Sequence, residues 1–258
     1  KVISDRALNL CRMGYYSYYD PVTRTPMWVS ENLDNSKLLL PKDMIGDFFR
    51  ADPDIPATAP QANLNDYKGT GFVPGHLAPS EEMNSQENNQ NAKNLVINQS
   101  LYFTNLMPIV SANMDKGIWL DLETQIRTWA TTRQHLLVVT GPIYDNKTAP
   151  VTIGSNKVWV PTRLYKVVFN GMTGKGIAFV VPNIQVVTAK TKALDAGVAG
   201  YSQTLSSSAY NCGKVCNLQN FRTSIAEVEK ITGLKFFPNA QNVNFTTISP
   251  SDWPITVQ

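Results

Sequence analysis

Apolar residues recur with a helical period at one long stretch of the chain, residues 117–134. Its apolar positions follow one another at i, i+4, i+8 and i+11, and they are Ile118, Leu122, Ile126 and Trp129. This spacing is typical of the buried face of a helix. A second helix is predicted over residues 224–232, because Ser224 and Glu227 form a capping box. Gly233 is well placed to end that helix.

Shorter apolar runs between turn residues predict strands. They cover residues 95–104, 136–140, 158–169 and 176–181. We expect the second run to stop at Gly141 and Pro142, and a turn at Asn170 and Gly171 to join the last two. Residues 51–75 are rich in Pro, Asn and Gly and predict a long surface loop. The strands do not alternate regularly with helices, so the pattern favours an α+β fold, with a mainly antiparallel β-sheet core flanked by helices.

Composition narrows the class of protein. The chain has 258 residues, of which 43% are hydrophobic and 17% charged, and these proportions exclude wholesale disorder. No apolar run approaches the roughly 20 residues of a membrane-spanning helix. The net charge of +3 mildly favours polyanionic partners.

Three cysteines occur, an odd number that cannot form a closed set of disulfides. Cys212 and Cys216 are close enough in sequence to form a local disulfide across a glycine, and the sequence leaves their pairing open. A zinc site is disfavoured because zinc usually takes four ligands and both histidines are distant in sequence.

The two histidines, His76 and His135, differ in their surroundings. His135 lies between the long helix and an apolar strand, which favours a packing or helix-end role. His76 follows the long polar loop and stands between Gly75 and Pro79. An imidazole on such an irregular backbone is a natural general base, since its ordinary pKa is near 6.5.

One face of the long helix carries three charged residues and a tryptophan at a spacing of four. The positions on that face are Asp115, Trp119, Glu123 and Arg127. One interpretation is a solvated ion pair between Glu123 and Arg127. The other is functional, because Asp115 at the helix start could offer an oxygen ligand to a hard cation. Asn105 is either a turn residue or a further polar group of the same site.

A histidine, a metal-binding carboxylate or amide and arginines together suit phosphodiester hydrolysis. The base removes a proton from water, a cation offsets charge on the phosphorane and the leaving oxygen, and arginine clamps the phosphate. No nucleophile elbow, phosphate-binding P-loop or dinucleotide fingerprint occurs in the sequence.

Eight short motifs, in order along the chain, carry a resemblance to a known family. They lie at residues 19–31, 66–69, 75–79, 102–105, 117–119, 122–123, 139–144 and 229–238. With these motifs the sequence resembles the DNA/RNA non-specific endonuclease family. The resemblance implies one such domain over residues 1–258, with a ββα-metal finger carrying the active site. It implies magnesium-dependent cleavage of DNA and RNA with little sequence preference, leaving 5′-phosphate ends, and Mn²⁺ as a substitute ion.

The resemblance also assigns roles to single residues. It implies that His76 is the general base and that Glu123 holds metal-bound water. The family's metal-binding asparagine falls on Asp115. Because the loop after Pro108 is one residue longer than usual, Asn113 is an alternative ligand.

Three further site residues follow from the same motifs. Arg127 is implied as a phosphate contact, and Asn105 matches an asparagine at the end of the preceding strand. Arg50 matches an arginine that precedes an Asp-Pro pair.

The sequence departs from the family pattern next to His76. The family has Asp-Arg before Gly-His, whereas this chain has Val73 and Pro74. The loss of that arginine favours an alternative, a catalytically impaired homologue that still binds nucleic acid. Pro74 fixes its backbone angle φ and could orient His76 without the aspartate.

The expected partners are DNA and RNA substrates and no membrane. A homodimer is compatible with the sequence, which does not determine the oligomeric state. Because a non-specific nuclease would damage its own cell, we expect a secreted or periplasmic protein.

Overall fold

The computed structural model describes nine stretches of the chain. They are residues 6–38, 48–83, 90–111, 117–133, 135–183, 185–187, 204–206, 217–241 and 243–256. Within these stretches, no helix combines the length and the apolar character needed to cross a membrane.

Strands outnumber helices in the described chain. The strands are β1 Leu8–Cys11, β2 Tyr15–Asp20, β3 Thr25–Asp34, β4 Phe72–His76, β5 Leu106–Val110, β6 His135–Ile143, β7 Thr152–Ile153, β8 Val158–Trp159, β9 Arg163–Asn170, β10 Lys175–Pro182, β11 Gln185–Val187, β12 Thr204–Ser206 and β13 Arg222–Thr223. The α-helices are α1 Asn35–Leu38, α2 Gln90–Ser100, α3 Ile118–Arg133 and α4 Ile225–Thr232.

The centre of the fold is a seven-stranded sheet in the order β1-β2-β3-β6-β9-β10-β13. Every neighbouring pair in it is antiparallel. Only β11 and β12 form a parallel pair among the described strands. The predicted α+β fold with a mainly antiparallel sheet is therefore confirmed.

The two faces of this sheet pack against different helices. Val29, Val138 and Val168 belong to one buried apolar cluster with Trp119 and Leu122 of α3. On the other face, a second cluster joins the sheet to α4. Its sheet residues are Val139, Tyr165, Val167 and Ala178, and its residues from α4 are Ile225 and Val228. Alternation of side chains along each strand produces this division.

Strands β4 and β5 form a separate antiparallel pair, in which His76 lies opposite Leu106. The next helix along the chain is α3. This β-β-α order is the predicted finger, and it places the end of β4 near one side of α3.

Both predicted helices are confirmed. The apolar stripe of α3 is buried at all four predicted positions. In α4, the Ser224 hydroxyl accepts a hydrogen bond of 3.1 Å from the Glu227 amide. Gly233 ends the helix in the left-handed conformation, with φ of 73°.

The predicted strand at residues 95–104 is wrong, because residues 90–100 form helix α2. Its buried side chains are Val96, Ile97 and Ser100, while Leu95 is 44% exposed. Burial at i, i+1 and i+4 is a helical pattern. A run of apolar letters too short to show a period cannot distinguish the two structures.

Two smaller expectations need correction. Strand β6 does not stop at Gly141 and Pro142 but continues to Ile143. Pairing with β3 ends at Thr140, so Pro142 lies where one side of β6 has no strand neighbour and its missing N–H costs nothing. The segment 51–75 is largely irregular, but it is less of a surface loop than expected, because Asp66 and five other of its residues are buried.

Candidate active site

His76 is the last residue of β4 and is partly buried. Its ring lies against Phe49, with 5.5 Å between the ring centres. The preceding residue has to be glycine, because a Cβ at Gly75 would lie 2.0 Å from the Ile109 side chain of the paired strand. The close approach of β4 and β5 thus fixes the backbone from which the imidazole projects.

Asn105 clamps the segment that follows His76. Its side-chain oxygen accepts a 3.0 Å hydrogen bond from the Ala78 amide. Its side-chain nitrogen donates 2.8 Å hydrogen bonds to the carbonyls of Ala78 and Ser100. The Leu77 amide donates to the backbone carbonyl of Asn105 at 3.0 Å. The amide of Asn105 is fully buried, so this residue shapes the backbone beside His76 and does not line the cavity described below.

Replacing Asn105 by Ala should lower the free energy of unfolding by about 2–4 kcal/mol, because buried groups of Ala78 and Ser100 would lose their partners. Urea unfolding of the parent and the variant measures this difference. The exposed Asn239 supplies the control, and its replacement by Ala should change stability by less than about 0.5 kcal/mol. Equal stability of N105A and the parent would show that the clamp is dispensable.

Glu123 on α3 and His76 line the same cavity, which has a volume of about 250 Å³. Val73, Pro74, Trp119 and Leu120 also line this cavity. The Glu123 carboxyl is 7% exposed, and burial raises its pKa to about 8. The charges of Lys166 and Arg127 oppose that rise, and the charge of Glu82 adds to it.

Glu123 is one of three buried glutamates that influence one another electrostatically. The other two are Glu31 on β3 and Glu82, which are 5% and 7% exposed. Burial is the largest cause of the raised pKa of both groups, and the charge of Glu82 raises that of Glu31 further. Lys166 on β9 is 1% exposed, and its charge opposes the rise at all three carboxyl groups.

Arg127 on α3 pairs with Glu82 and not with Glu123, the partner considered from the sequence. The Arg127 guanidinium lies 3.2 Å from the Glu82 carboxylate and donates a 3.0 Å hydrogen bond to the Thr124 hydroxyl. Its side chain is 17% exposed. A partly exposed arginine fixed by a buried carboxylate is oriented and can still meet an anion from solvent.

Arg50 is connected to the site through its neighbour in the chain, Phe49. Its backbone pairs with Tyr102, and its side chain donates to the Phe48 carbonyl at 3.0 Å. The residue between them, Phe49, contacts the His76 ring. The structure thus brings His76 and Glu123 to one cavity, with Arg50 and Arg127 outside its lining.

The predicted metal ligands, Asp115 and Asn113, lie outside the described residues, as do Cys212 and Cys216. Cys11 is a free, exposed cysteine. No group of three or more His, Cys, Asp or Glu residues suited to a metal occurs in the described part of the chain. A cavity with an imidazole and a buried carboxyl nevertheless fits a hydrated hard cation that receives one further ligand from the chain.

The motifs and spacings of the sequence assign no role to Glu31, Glu82 or Lys166. One signal was available, because Lys166 interrupts an apolar strand between Leu164 and Val168. A charged residue at a buried position usually has a partner of opposite charge. The partners come from other strands and loops, and no local spacing reveals them.

A model of the DNA/RNA non-specific endonuclease family matches residues 3–243 of the chain. The chain is also similar to the mitochondrial nuclease EXOG of Danio rerio, with 29% identity over 247 residues, covering 91% of this chain and 62% of that protein. The mitochondrial endonuclease G of Homo sapiens is 28% identical over 239 residues, covering 88% of this chain and 69% of that protein. The chain thus spans less than two-thirds of the EXOG relative.

A solved structure has the same fold. It is the crystal structure of the EndoG/EndoGI complex, which addresses the mechanism of EndoG inhibition. Its superposition gives a TM-score of 0.69 at 22% identity and covers 93% of this chain and 89% of that one. The expectation of a secreted or periplasmic protein is wrong, because the EXOG and endonuclease G relatives are mitochondrial.

Proposed function

Because this chain belongs to the DNA/RNA non-specific endonuclease family, we propose that it hydrolyses phosphodiester bonds in DNA and RNA with little sequence preference. One observation carries the proposal. His76 and Glu123 are 47 positions apart in the sequence, and they line one cavity between β4 and α3. The mitochondrial names of the relatives support a mitochondrial compartment for this chain.

His76 acts as the general base in this proposal. Its imidazole takes a proton from the attacking water, and its ordinary pKa range suits that task near neutral pH. The strand end, the Phe49 ring and the Asn105 clamp hold it in place. Asn105 is therefore assigned a positioning role.

Asp115 or Asn113 would bind magnesium, which when bound would supply positive charge to the reacting phosphate and the leaving oxygen. Glu123 organises water within the cavity from its fixed place on α3. Arg127 and Arg50 hold phosphates of the substrate outside the lining. Contacts to phosphate and sugar carry no sequence information, which accounts for weak sequence preference. Attack of water on phosphorus breaks the bond to the 3′ oxygen, which leaves as a hydroxyl, so the phosphate stays on the 5′ end.

The second candidate function is nucleic-acid binding with impaired catalysis. The observation that favours it is the apolar wall beside His76, where Val73 and Pro74 line the cavity. Neither side chain can offer a charge to a phosphate. Binding without cleavage would distinguish this candidate from the nuclease.

Metal removal should abolish cleavage. The parent chain with Mg²⁺ is expected to nick plasmid DNA and degrade RNA, and excess EDTA should lower both rates at least about 100-fold, since the cation's charge stabilisation would be lost. Addition of Mg²⁺ or Mn²⁺ beyond the EDTA should restore cleavage. Undiminished cutting in EDTA would contradict the metal assignment, and a gel shift without cutting in any metal would favour the second candidate.

A further inference from the structure

Lys166 is a buried cation that contacts two elements of the proposed active site. It lies on β9, opposite Thr140 of β6, and is 1% exposed. Lysine is rarely buried to this extent unless it is paired. Burial of the Lys166 ammonium group costs desolvation free energy, so we expect it to have a role beyond packing.

The ammonium group joins three elements around the site. It donates a 3.1 Å hydrogen bond to the Leu77 carbonyl and a 3.0 Å hydrogen bond to the Thr140 hydroxyl. It also lies 4.9 Å from the centre of the Trp119 ring. Leu77 directly follows His76, and Trp119 lines the same cavity as His76 and Glu123.

Lys166 also offsets the negative charge of acidic residues near the cavity. Among the described residues that line the cavity there is no lysine or arginine, whereas Glu81 and Glu123 are acidic. The charge of Lys166 lowers the pKa of Glu31, Glu82 and Glu123 against the effect of burial. Lys166 therefore compensates the charges of these three buried glutamates, although it does not itself line the cavity.

We propose that Lys166 is a positioning residue of the active site, which fixes the backbone after His76 through the Leu77 carbonyl and supports the Trp119 ring, which lines the cavity beside Glu123. This proposal rests on the proposed nuclease function. It assigns to Lys166 no contact with the substrate. Its effect passes through the orientation of His76.

The first test replaces Lys166 by Met, which has similar length and no charge. We expect kcat for plasmid cleavage to fall about 10- to 100-fold, the usual range for a lost supporting contact behind a metal site, with KM changed less than about 3-fold. The imidazole signals in NMR report on orientation, because the chain has only two histidines. The His76 signals should shift in K166M, and those of His135 should not.

A paired variant separates positioning from stability. Glu31→Gln combined with Lys166→Met also removes a buried acid that Lys166 compensates, so the double variant should unfold at a higher temperature than K166M. If Lys166 only stabilises the fold, kcat and the His76 signals should recover together with stability. If it positions His76, stability should recover while kcat stays low and the signals stay shifted.

Two further variants complete the test. Lys175→Met removes an exposed lysine that pairs with Asp252 and should leave kcat unchanged. Thr140→Val removes one hydrogen-bond acceptor of Lys166. If K166M does not fold, this variant tests the positioning role of Lys166 in its place. It should lower kcat about 3-fold with a smaller shift of the His76 signals, in line with one lost hydrogen bond.

The outcomes separate the two proposals. Unchanged kcat and unchanged His76 signals in K166M, or in T140V where K166M does not fold, would overturn the role of Lys166. Absence of cleavage by the parent chain would overturn the nuclease function instead. The NMR comparison would still report whether Lys166 orients His76.

Discussion

His76→Ala is expected to lower kcat for plasmid cleavage by about 10² to 10⁴, the range for loss of a general base. Affinity for the nucleic acid should change little, because the contacts proposed to hold phosphates come from Arg50 and Arg127. The imidazole is partly exposed, so its removal leaves only a small void. Cleavage is measured with Mg²⁺ at saturating DNA, and affinity by gel shift in Ca²⁺.

The other histidine supplies the matched control. His135 is on β6, with its ring nitrogen 3.6 Å from the Asp34 carboxylate and its side chain 51% exposed. H135A should cut as fast as the parent. If H76A also cuts at the parental rate, the base assignment is wrong.

Glu123→Gln is expected to lower kcat about 100-fold at a pH above the pKa of Glu123, which is about 8, because the neutral amide cannot replace a carboxylate that orders water in the cavity. The exchange keeps size and shape, so the buried site should not collapse. Glu227→Gln is the control, since Glu227 makes only a surface ion pair with Lys230 at 3.8 Å. Parental activity in E123Q would remove Glu123 from the mechanism.

The pH dependence of stability tests the burial of the same carboxyl group. Its pKa rises on folding from the ordinary 4.5 to about 8, so the folded state binds more protons than the unfolded state between those values. Stability of the parent, measured in EDTA, should therefore fall relative to E123Q as pH rises through that interval. A difference in stability that does not change with pH would contradict a buried, protonated Glu123.

Elements with strong local signals could be predicted from the sequence. Helix α3 shows its apolar period from Ile118 to Trp129, and α4 carries both of its end signals, Ser224 and Gly233. His76 could be proposed as a base from its flanking glycine and proline. Its partner Glu123 followed from the helix face and from the family resemblance.

Features that depend on distant pairing could not be predicted. Helix α2 was interpreted as a strand because its apolar run is short, and burial of Val96 and Ile97 is decided by the fold around it. Arg127 was assigned to Glu123 or to phosphate, while its partner Glu82 precedes it by 45 positions. Lys166 bonds to a carbonyl 89 positions away, and no spacing along β9 encodes that contact.

The central claim is that His76 and Glu123 act together at one site. The most direct measurement is a double-mutant cycle on kcat/KM for plasmid cleavage, with H76A, E123Q and the double variant in the same Mg²⁺ buffer. Residues that act as a unit give strongly non-additive effects. We expect the double variant to be about as slow as the slower single variant. A double variant slowed by the full product of the two single factors would show that the two residues act independently and would contradict the account.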